Sequence, residues 1–248
     1  MEEWNGLSNK SLSVKIIFFL GSLRIDNDSN AGSIRREIEA YGDILQLDIE
    51  ESYFNNTYKV LALYEWLWKK CSNAKYLLKL DDDVFLNFPK FANEFLTQPI
   101  DSNTLYGFVS VGGGVPKKKR SRHYIPPDIF PYRKLRFTYV YGFAVFSSLQ
   151  LVLDIHAVGA CLRGIYVDDV YLNGYIMHII GYKNENLPKF NTEIIPHKDK
   201  IKPIDWDYIS KFWVTPQLEP EEFARIYNEM RSNKTSVFLF SSVTNSIR

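Results

Sequence analysis

The sequence predicts an α/β domain built on a mostly parallel sheet with helices on both faces. Three observations carry that expectation. Short apolar runs rich in β-branched and aromatic residues alternate with stretches of helical period, in the order strand, helix, strand, helix, strand, up to Leu80. Glycine or acidic residues close each strand run. The 248 residues are 46% hydrophobic and 24% charged, which suits one large core or two small ones.

Val14 to Leu20 reads as a buried first strand, stopped by Gly21-Ser22. A polar loop, Asp26 to Asn30, leads to a short helix of mixed charge, Ser33 to Tyr41. Ile44 to Leu47 is a second strand, closed by Asp48, Glu50 and Glu51. Thr57 to Cys71 has helical spacing, with Val60, Leu61, Tyr64, Leu67 and Trp68 on one face. Tyr76 to Leu80 is the third strand. Pro89 to Leu96 then reads as a helix and Tyr106 to Val111 as a strand.

From Gly112 to Arg136 three glycines, a basic run and then Pro126, Pro127 and Pro131 make a long loop of the kind that lines binding sites. Thr138 to Phe146 is a further strand, broken by Gly142. Leu149 to Val158 and Val170 to Ile180 are helices, and His178 in the second reads as a satisfied core residue. Periodicity weakens beyond Lys200, although Glu221 to Met230 fits a helix and the last fifteen residues are expected to fray.

The net charge of +1 creates no general field toward nucleic acid or membrane, and no nucleic-acid partner is expected. Lys117 to Arg120 reads as a solvated loop, with nuclear targeting or anion contact as alternatives. No run approaches the roughly 20 apolar residues of a membrane span, and no signal peptide is visible. Cys71 and Cys161 make no disulfide framework and could pair or stay free. Four glycosylation sequons, at Asn9, Asn27, Asn55 and Asn233, permit a secretory compartment. The 17 Phe and 16 Tyr fit a large aromatic core, with sugar-stacking surfaces as the alternative.

The chemistry concentrates at "KLDDDVFLN". Apolar Leu77, Leu78 and Leu80 run directly into Asp81, Asp82 and Asp83, and Val84 to Leu86 are apolar again. In an open α/β sheet, ligands bind beyond the carboxyl ends of strands. Alternation along an extended segment would point Asp81 and Asp83 the same way. Two carboxylates so placed repel unless a cation offsets them, and a hard ion, Mg²⁺ or Mn²⁺, is the natural partner. Such an ion is commonly shared with substrate phosphates, which suggests a nucleotide diphosphate. The bland alternative is an acidic turn after a core strand. Asp168-Asp169, ahead of Val170, offers a second acidic pair: a candidate base, or helix N-caps.

An ordered series of blocks resembles the β-1,3-galactosyltransferase family, which includes N-acetylglucosaminyltransferases. "EWNG" (3–6), "FFLG" (18–21), "EIEAYGDILQLD" (37–48), "ESYFNNTYK" (51–59), "WLWKKC" (66–71), the three aspartates, "RHYIP" (122–126), "FPYRKLRFTYVYGFAVFSS" (130–148) and "VDDVYLNGYI" (167–176) fall in the family's order. The resemblance covers about residues 3 to 200. This chain has Asp168 where Glu is usual, Asn56 where Leu is usual, and one glycine at Tyr141-Gly142-Phe143 where two are common.

The resemblance implies a GT-A fold, Rossmann-like, with a catalytic domain over residues 1–200 and a C-terminal extension over 201–248. Its nucleotide-sugar half would run to about 110 and its acceptor half from about 111. It implies a metal-dependent, inverting β-1,3-hexosyltransferase. The donor would be UDP-galactose or UDP-N-acetylglucosamine, and the acceptor a glycan on a glycoprotein or glycolipid. Asp83 would meet Mn²⁺ (or Mg²⁺), with His197 a second metal ligand. Asp81 and Asp82 would serve the donor, with Lys59 on the donor side of its helix and Asp168 beside it. Asp169 would be the catalytic base. Tyr141 and Gly142, with Tyr139, would shape the substrate pocket. Members work in the Golgi lumen behind an N-terminal membrane anchor, which is expected to be missing from this chain. A non-catalytic sugar-binding relative is one alternative. A phosphatase of the haloacid-dehalogenase type is another, although Phe85 stands where that class wants Thr or Val.

Overall fold

The computed structural model describes residues 2–7, 10–22, 31–191 and 205–232. β1 (Glu2–Leu7) and β2 (Lys10–Val14) form an antiparallel hairpin. β3 (Phe18–Ser22) pairs in parallel with β4 (Ile44–Glu50), with α1 (Ala31–Tyr41) between them in the chain. A short 3₁₀ turn, Tyr53–Asn55, leads into α2 (Asn56–Lys70). The main sheet then takes β5 (Tyr76–Leu80), β7 (Thr104–Val111), β8 (Thr138–Ser148) and β9 (Lys183–Asn186), in the spatial order β5-β8-β7-β9. β6 (Phe85–Leu86) pairs with β10 (Val214–Thr215). The remaining helices are α3 (Phe88–Glu94), α4 (Leu149–Gly159), α5 (Asp168–Val170), α6 (Met177–Ile180), α7 (Trp206–Ile209) and α8 (Pro220–Ser232). A π-helical stretch, Tyr171–Ile176, joins α5 to α6.

The mostly parallel sheet is corrected. β8 runs antiparallel to both of its neighbours, and β7–β9 is the parallel pair of that sheet. The reason lies in the connection. No helix crosses over between β7 and β8; the 112–137 loop simply returns the chain, so β8 enters between β5 and β7 in the opposite sense. The strand–helix–strand rhythm before Leu80 governs only β3 and β4. The sheet is continuous across position 111, since β8 lies between two strands from the first half.

Helices do cover both faces. Leu105 and Val145 point into a core shared with α2, α4 and the α5–α6 segment. Tyr106, Ala144 and Phe146 point into a second core with Phe88, Phe91 and Phe95 of the α3 region and Trp213. On α2 the inward stripe is Val60, Leu63, Tyr64 and Leu67, spaced for one helical face. Trp68, expected on that face, is 56% exposed. The expected single strand Val14 to Leu20 is two strands broken at 15–17, where the chain leaves the hairpin for the parallel pair. His178 is exposed and lies over Phe137, so it is no core residue.

Residues 205–232 pack on the segment just after the aspartates: Phe85 shares a small core with Ile209, Leu218, Ile226 and Met230. Cys71 and Cys161 are both free thiols. Lys117 Nζ donates to the Phe130 carbonyl at 2.6 Å, while Lys118, Lys119 and Arg120 face solvent. Among the described residues no helix is long and apolar enough to cross a membrane. The polar loop Asp26 to Asn30, the sequon asparagines Asn9, Asn27 and Asn233, and the last fifteen residues lie outside the described residues.

Candidate functional site

The site is organised by a distortion of β8. β7 and β8 are in register at Gly107–Val145 and again at Val109–Val140, so Tyr141 to Ala144 stand opposite Phe108 alone. Such a bulge frees backbone groups from the ladder. The crossing is tight at Gly107, where a Cβ would lie 2.3 Å from Val140 Cγ1 and 2.6 Å from the Ala144 carbonyl oxygen. Both backbone groups of Gly142 are used by side chains: its C=O accepts from Lys79 Nζ at 2.7 Å, and its N–H donates to the Asp169 carboxylate. A Cβ on Gly142 would lie 3.5 Å from both Asp168 Oδ2 and Asp169 Cβ.

β5 delivers the first acidic group. Asp81 N–H donates to the Phe143 carbonyl at 2.9 Å, which fixes the strand end beside the bulge. The chain then turns, with Val84 N–H donating to the Asp81 carbonyl at 3.3 Å. Asp82 and Asp83 are therefore in a turn, and the expected strand-like alternation of Asp81 and Asp83 does not hold. All three aspartates are exposed. Partial desolvation and the charges of Asp81 and Asp82 push the Asp83 carboxyl up to about 6. Leu218 N–H donates to the Asp83 carbonyl at 2.9 Å, and Glu219 adds negative charge nearby.

Lys79 is the residue that sequence reasoning missed. Its ammonium is buried and donates to Asp81 Oδ1 at 2.9 Å as well as to Gly142. Burial alone would lower its pKa, but Asp81 and Asp168 more than offset that, and it lies above the ordinary lysine value. The available signal was a lysine inside an otherwise apolar strand, directly before an acidic triplet.

α5 delivers the second pair. Val167 occupies the cap position without a side-chain cap, and Asp168 and Asp169 fill the first turn. Val170 N–H donates to Asp169 Oδ1 at 2.7 Å, so N-terminal helix binding and a site role are compatible. Burial, then the charge of Asp168, raise the Asp169 carboxyl to about 7; the Val170 and Gly142 N–H groups and Lys79 pull the other way. Burial also raises Asp168, with Lys79 opposing. The π-helical stretch that follows brings α5 close to β8. A Cβ on Gly174 would lie 2.7 Å from Phe137 Cε2 and 2.8 Å from Tyr139 Cβ, so only glycine fits there. Asn173 Nδ2 donates to the Val140 carbonyl, and Asn184 Nδ2 takes up the Asn173 carbonyl, satisfying polar groups that the π turn displaces.

The other expected residues are distributed as follows. Tyr141, Phe108 and Phe143 hold their rings nearly parallel in a triangle, with centroids 5.4 Å from Tyr141 to each and 6.5 Å between the two Phe rings, and form an aromatic wall at the bulge. Tyr139 lies next to it, near enough to Asp169 for that charge to raise its hydroxyl, after burial. Lys59 pairs with Glu51, whose other oxygen accepts from Gly21 N–H at 2.6 Å, so its described contacts tie it to the end of β3. His197 lies outside the described residues. Tyr53, also missed by sequence reasoning, has its hydroxyl 2.8 Å from His123 Nδ1, and burial followed by the Asp169 charge raises it to about 12.

Among the described residues no three His, Cys, Asp or Glu groups converge tightly enough to hold an ion alone. Asp81 is already engaged by Lys79. The donor set nevertheless fits a hard ion in its shared form, with one or two carboxylates and substrate oxygens. Asp83, exposed and crowded by like charges, is the carboxylate that a cation would relieve most.

Fold and site together define a mixed α/β protein with two acidic clusters meeting at one strand bulge. The galactosyltransferase family model matches residues 2–188, and the chain belongs to that family. It is 27% identical over 233 residues to beta-1,3-galactosyltransferase 2 of Homo sapiens, covering 91% of this chain and 54% of that protein. It is 27% identical over 241 residues to beta-1,3-galactosyltransferase 1 of Mus musculus, covering 94% and 69%. It is 25% identical over 169 residues to lactosylceramide 1,3-N-acetyl-beta-D-glucosaminyltransferase B of Xenopus laevis, covering 66% and 45%. The chain thus spans about half the length of the first two kinds of relative it matches, 45% and 54%. This membership replaces the phosphatase alternative.

Proposed function

We propose that the chain is an inverting β-1,3-hexosyltransferase moving galactose, or N-acetylglucosamine, from a UDP-sugar to a hydroxyl of an acceptor glycan. One observation carries the reading. Gly142 is bonded on one side to Lys79, which holds Asp81, and on the other to Asp169. A donor diphosphate at the aspartate turn and an acceptor hydroxyl at Asp169 would then meet over the same strand bulge.

The roles follow from the environments. Asp83, with Asp82 beside it, would hold a Mn²⁺ or Mg²⁺ ion shared with the donor's phosphates, with His197 a further candidate ligand. When bound, such an ion supplies charge stabilisation to the departing diphosphate, which then needs no general acid. Lys79 fixes Asp81 and balances the local negative charge. Asp169 accepts the proton of the attacking hydroxyl at its free carboxylate lone pairs. Its two backbone N–H contacts aim it, and its raised pKa matches a base working near neutrality. Asp168 sustains that raised value by its own charge. Tyr141 and Phe143 offer ring faces against which a sugar can lie. The family and the sequons support a Golgi-lumen location, on a glycoprotein or glycolipid acceptor.

The test is release of UDP from UDP-galactose and UDP-N-acetylglucosamine with Mn²⁺ and a panel of acceptor glycosides. Asp83→Ala is expected to abolish Mn²⁺-dependent UDP binding in calorimetry. Asp169→Asn is expected to keep that binding and lose transfer. The engagement of Asp81 by Lys79 favours a second reading, a sugar-binding relative without donor chemistry. Acceptor binding with no UDP–Mn²⁺ binding by the wild-type chain would select it.

A further inference from the structure

Next to the carboxylate pair lies a cleft that the transfer chemistry does not use. It has a volume of about 250 Å³, and its walls include Phe54, Tyr58, Ile129, Arg163 and Tyr166. Thr57 forms part of its lining, with its hydroxyl donating inward to the Ile165 carbonyl. Phe54 and Tyr58 are 58% and 56% exposed, an unusual position for two large rings one helical turn apart. Phe54 meets Tyr166 edge-on at 5.0 Å. Tyr166 is two residues before Asp168.

Tyr53 joins the cleft to the reacting region. Its ring contacts both Phe54 and Tyr166, and its hydroxyl feels the charges of Asp169 and Asp168. The geometric link between cleft and base is Tyr166, which lines the cleft two residues before Asp168 and meets the Tyr53 ring.

Size and charge decide what it takes. Pockets for drug-sized ligands run from about 300 to 1,000 Å³, so this one suits a single ring and not a nucleotide diphosphate. Its one lining guanidinium, Arg163, lies 3.5 Å from Asp128 in an exposed pair, so the charge at the cleft mouth is mixed and not net positive. Aromatic faces beside N–H donors with their charge compensated are a surface for the C–H face and hydroxyls of a neutral pyranose.

We propose that this cleft is the subsite for the acceptor's second sugar, a neutral pyranose one glycosidic bond away from the unit whose hydroxyl is attacked. The proposal rests on the transferase reading for its orientation, but its binding test does not need turnover. Saturation-transfer NMR without donor would compare methyl β-galactoside with methyl β-lactoside, and methyl β-N-acetylglucosaminide with methyl β-N-acetyllactosaminide. In at least one pair the wild-type chain should bind the disaccharide more tightly. Phe54→Ala or Tyr58→Ala should remove that advantage by about tenfold, as expected for losing an aromatic anchor. Both aromatic side chains are exposed, so unchanged melting temperatures would exclude unfolding as the cause. A disaccharide advantage that survives both alanine variants, or is absent from every pair, overturns the subsite. A subsite that behaves as expected in a chain that transfers no sugar would leave the subsite standing and remove the transferase reading.

Discussion

The two acidic clusters use the same side chain in different settings, one exposed in a turn and one half-buried at a helix start. Asp81 to Asp83 follow a regular strand, turn into solvent and are balanced by a side-chain cation, Lys79. Asp168 and Asp169 open a helix, sit half-buried against the β8 bulge and are held by backbone N–H groups. Exposure leaves the first cluster open to a shared cation, and the like charges that push Asp83 up to about 6 are what such a cation would offset. Burial and mutual repulsion turn Asp169 into a weak acid that titrates near 7. Environment, and not residue type, separates a charge-holding carboxylate from a proton-accepting one.

The largest effect should come from removing that distinction at the second cluster. Asp169→Asn keeps the shape and one acceptor oxygen but cannot accept a proton, so transfer should fall by about 10²- to 10⁴-fold. Initial rates with saturating donor measure this. A loss below tenfold would mean that the base lies elsewhere and that the contrast between clusters has no catalytic meaning.

Lys79→Met tests the link between them. It leaves Asp81 without its cation and the Gly142 carbonyl without its donor. Asp81 can rehydrate, but the carbonyl is half-buried and loses its donor, so the expected stability cost is about 1–3 kcal/mol in urea denaturation. Lys79→Arg, which keeps the charge, should recover part of the loss. Equal destabilisation by both variants would point to packing alone.

A pH series sharpens the same comparison. The Asp169 carboxyl is pushed up to about 7 in the folded state, against about 3.9 for an unperturbed aspartate. The folded state thus holds this proton more tightly. That contribution is fully present below about 4 and is lost as pH rises through 7. Asn at 169 cannot ionise and escapes the loss. Asp169→Asn should therefore melt higher than wild type at pH 8, by a margin that shrinks toward pH 5. A margin independent of pH would place the carboxyl in ordinary solvent.

Much of this was legible from residues alone, and the failures have specific causes. Tyr76 to Leu80 was readable because a short apolar run ending in charges has few other structures available. The helices α2 and α4 were readable from their apolar period. The direction of β8 was not, because pairing direction depends on where the 112–137 loop returns the chain, and no local pattern encodes that. The β6–β10 pair was hidden for the same reason: Phe85 and Val214 are far apart in sequence, and each strand is two residues long. Both acidic clusters were visible as motifs. Their meeting at Gly142 was not, since it depends on a bulge set by Gly107 and on the close approach of Gly174 to β8.

The smallest structural effect, and the most selective, belongs to Gly142→Ala. The new methyl would make ordinary contacts at 3.5 Å with Asp168 and Asp169. Alanine in a strand also avoids the entropy cost of glycine, so stability should change by less than about 1 kcal/mol. The methyl would nevertheless stand beside the second cluster, where the proposed transfer would bring the sugar and the attacking hydroxyl together. Transfer should drop while UDP–Mn²⁺ affinity stays within about twofold of wild type. Thermal melts, calorimetry and rates on one preparation separate the three quantities. If rate and stability both stay at wild-type levels, the bulge is only a fold feature, and the clusters face each other without working together.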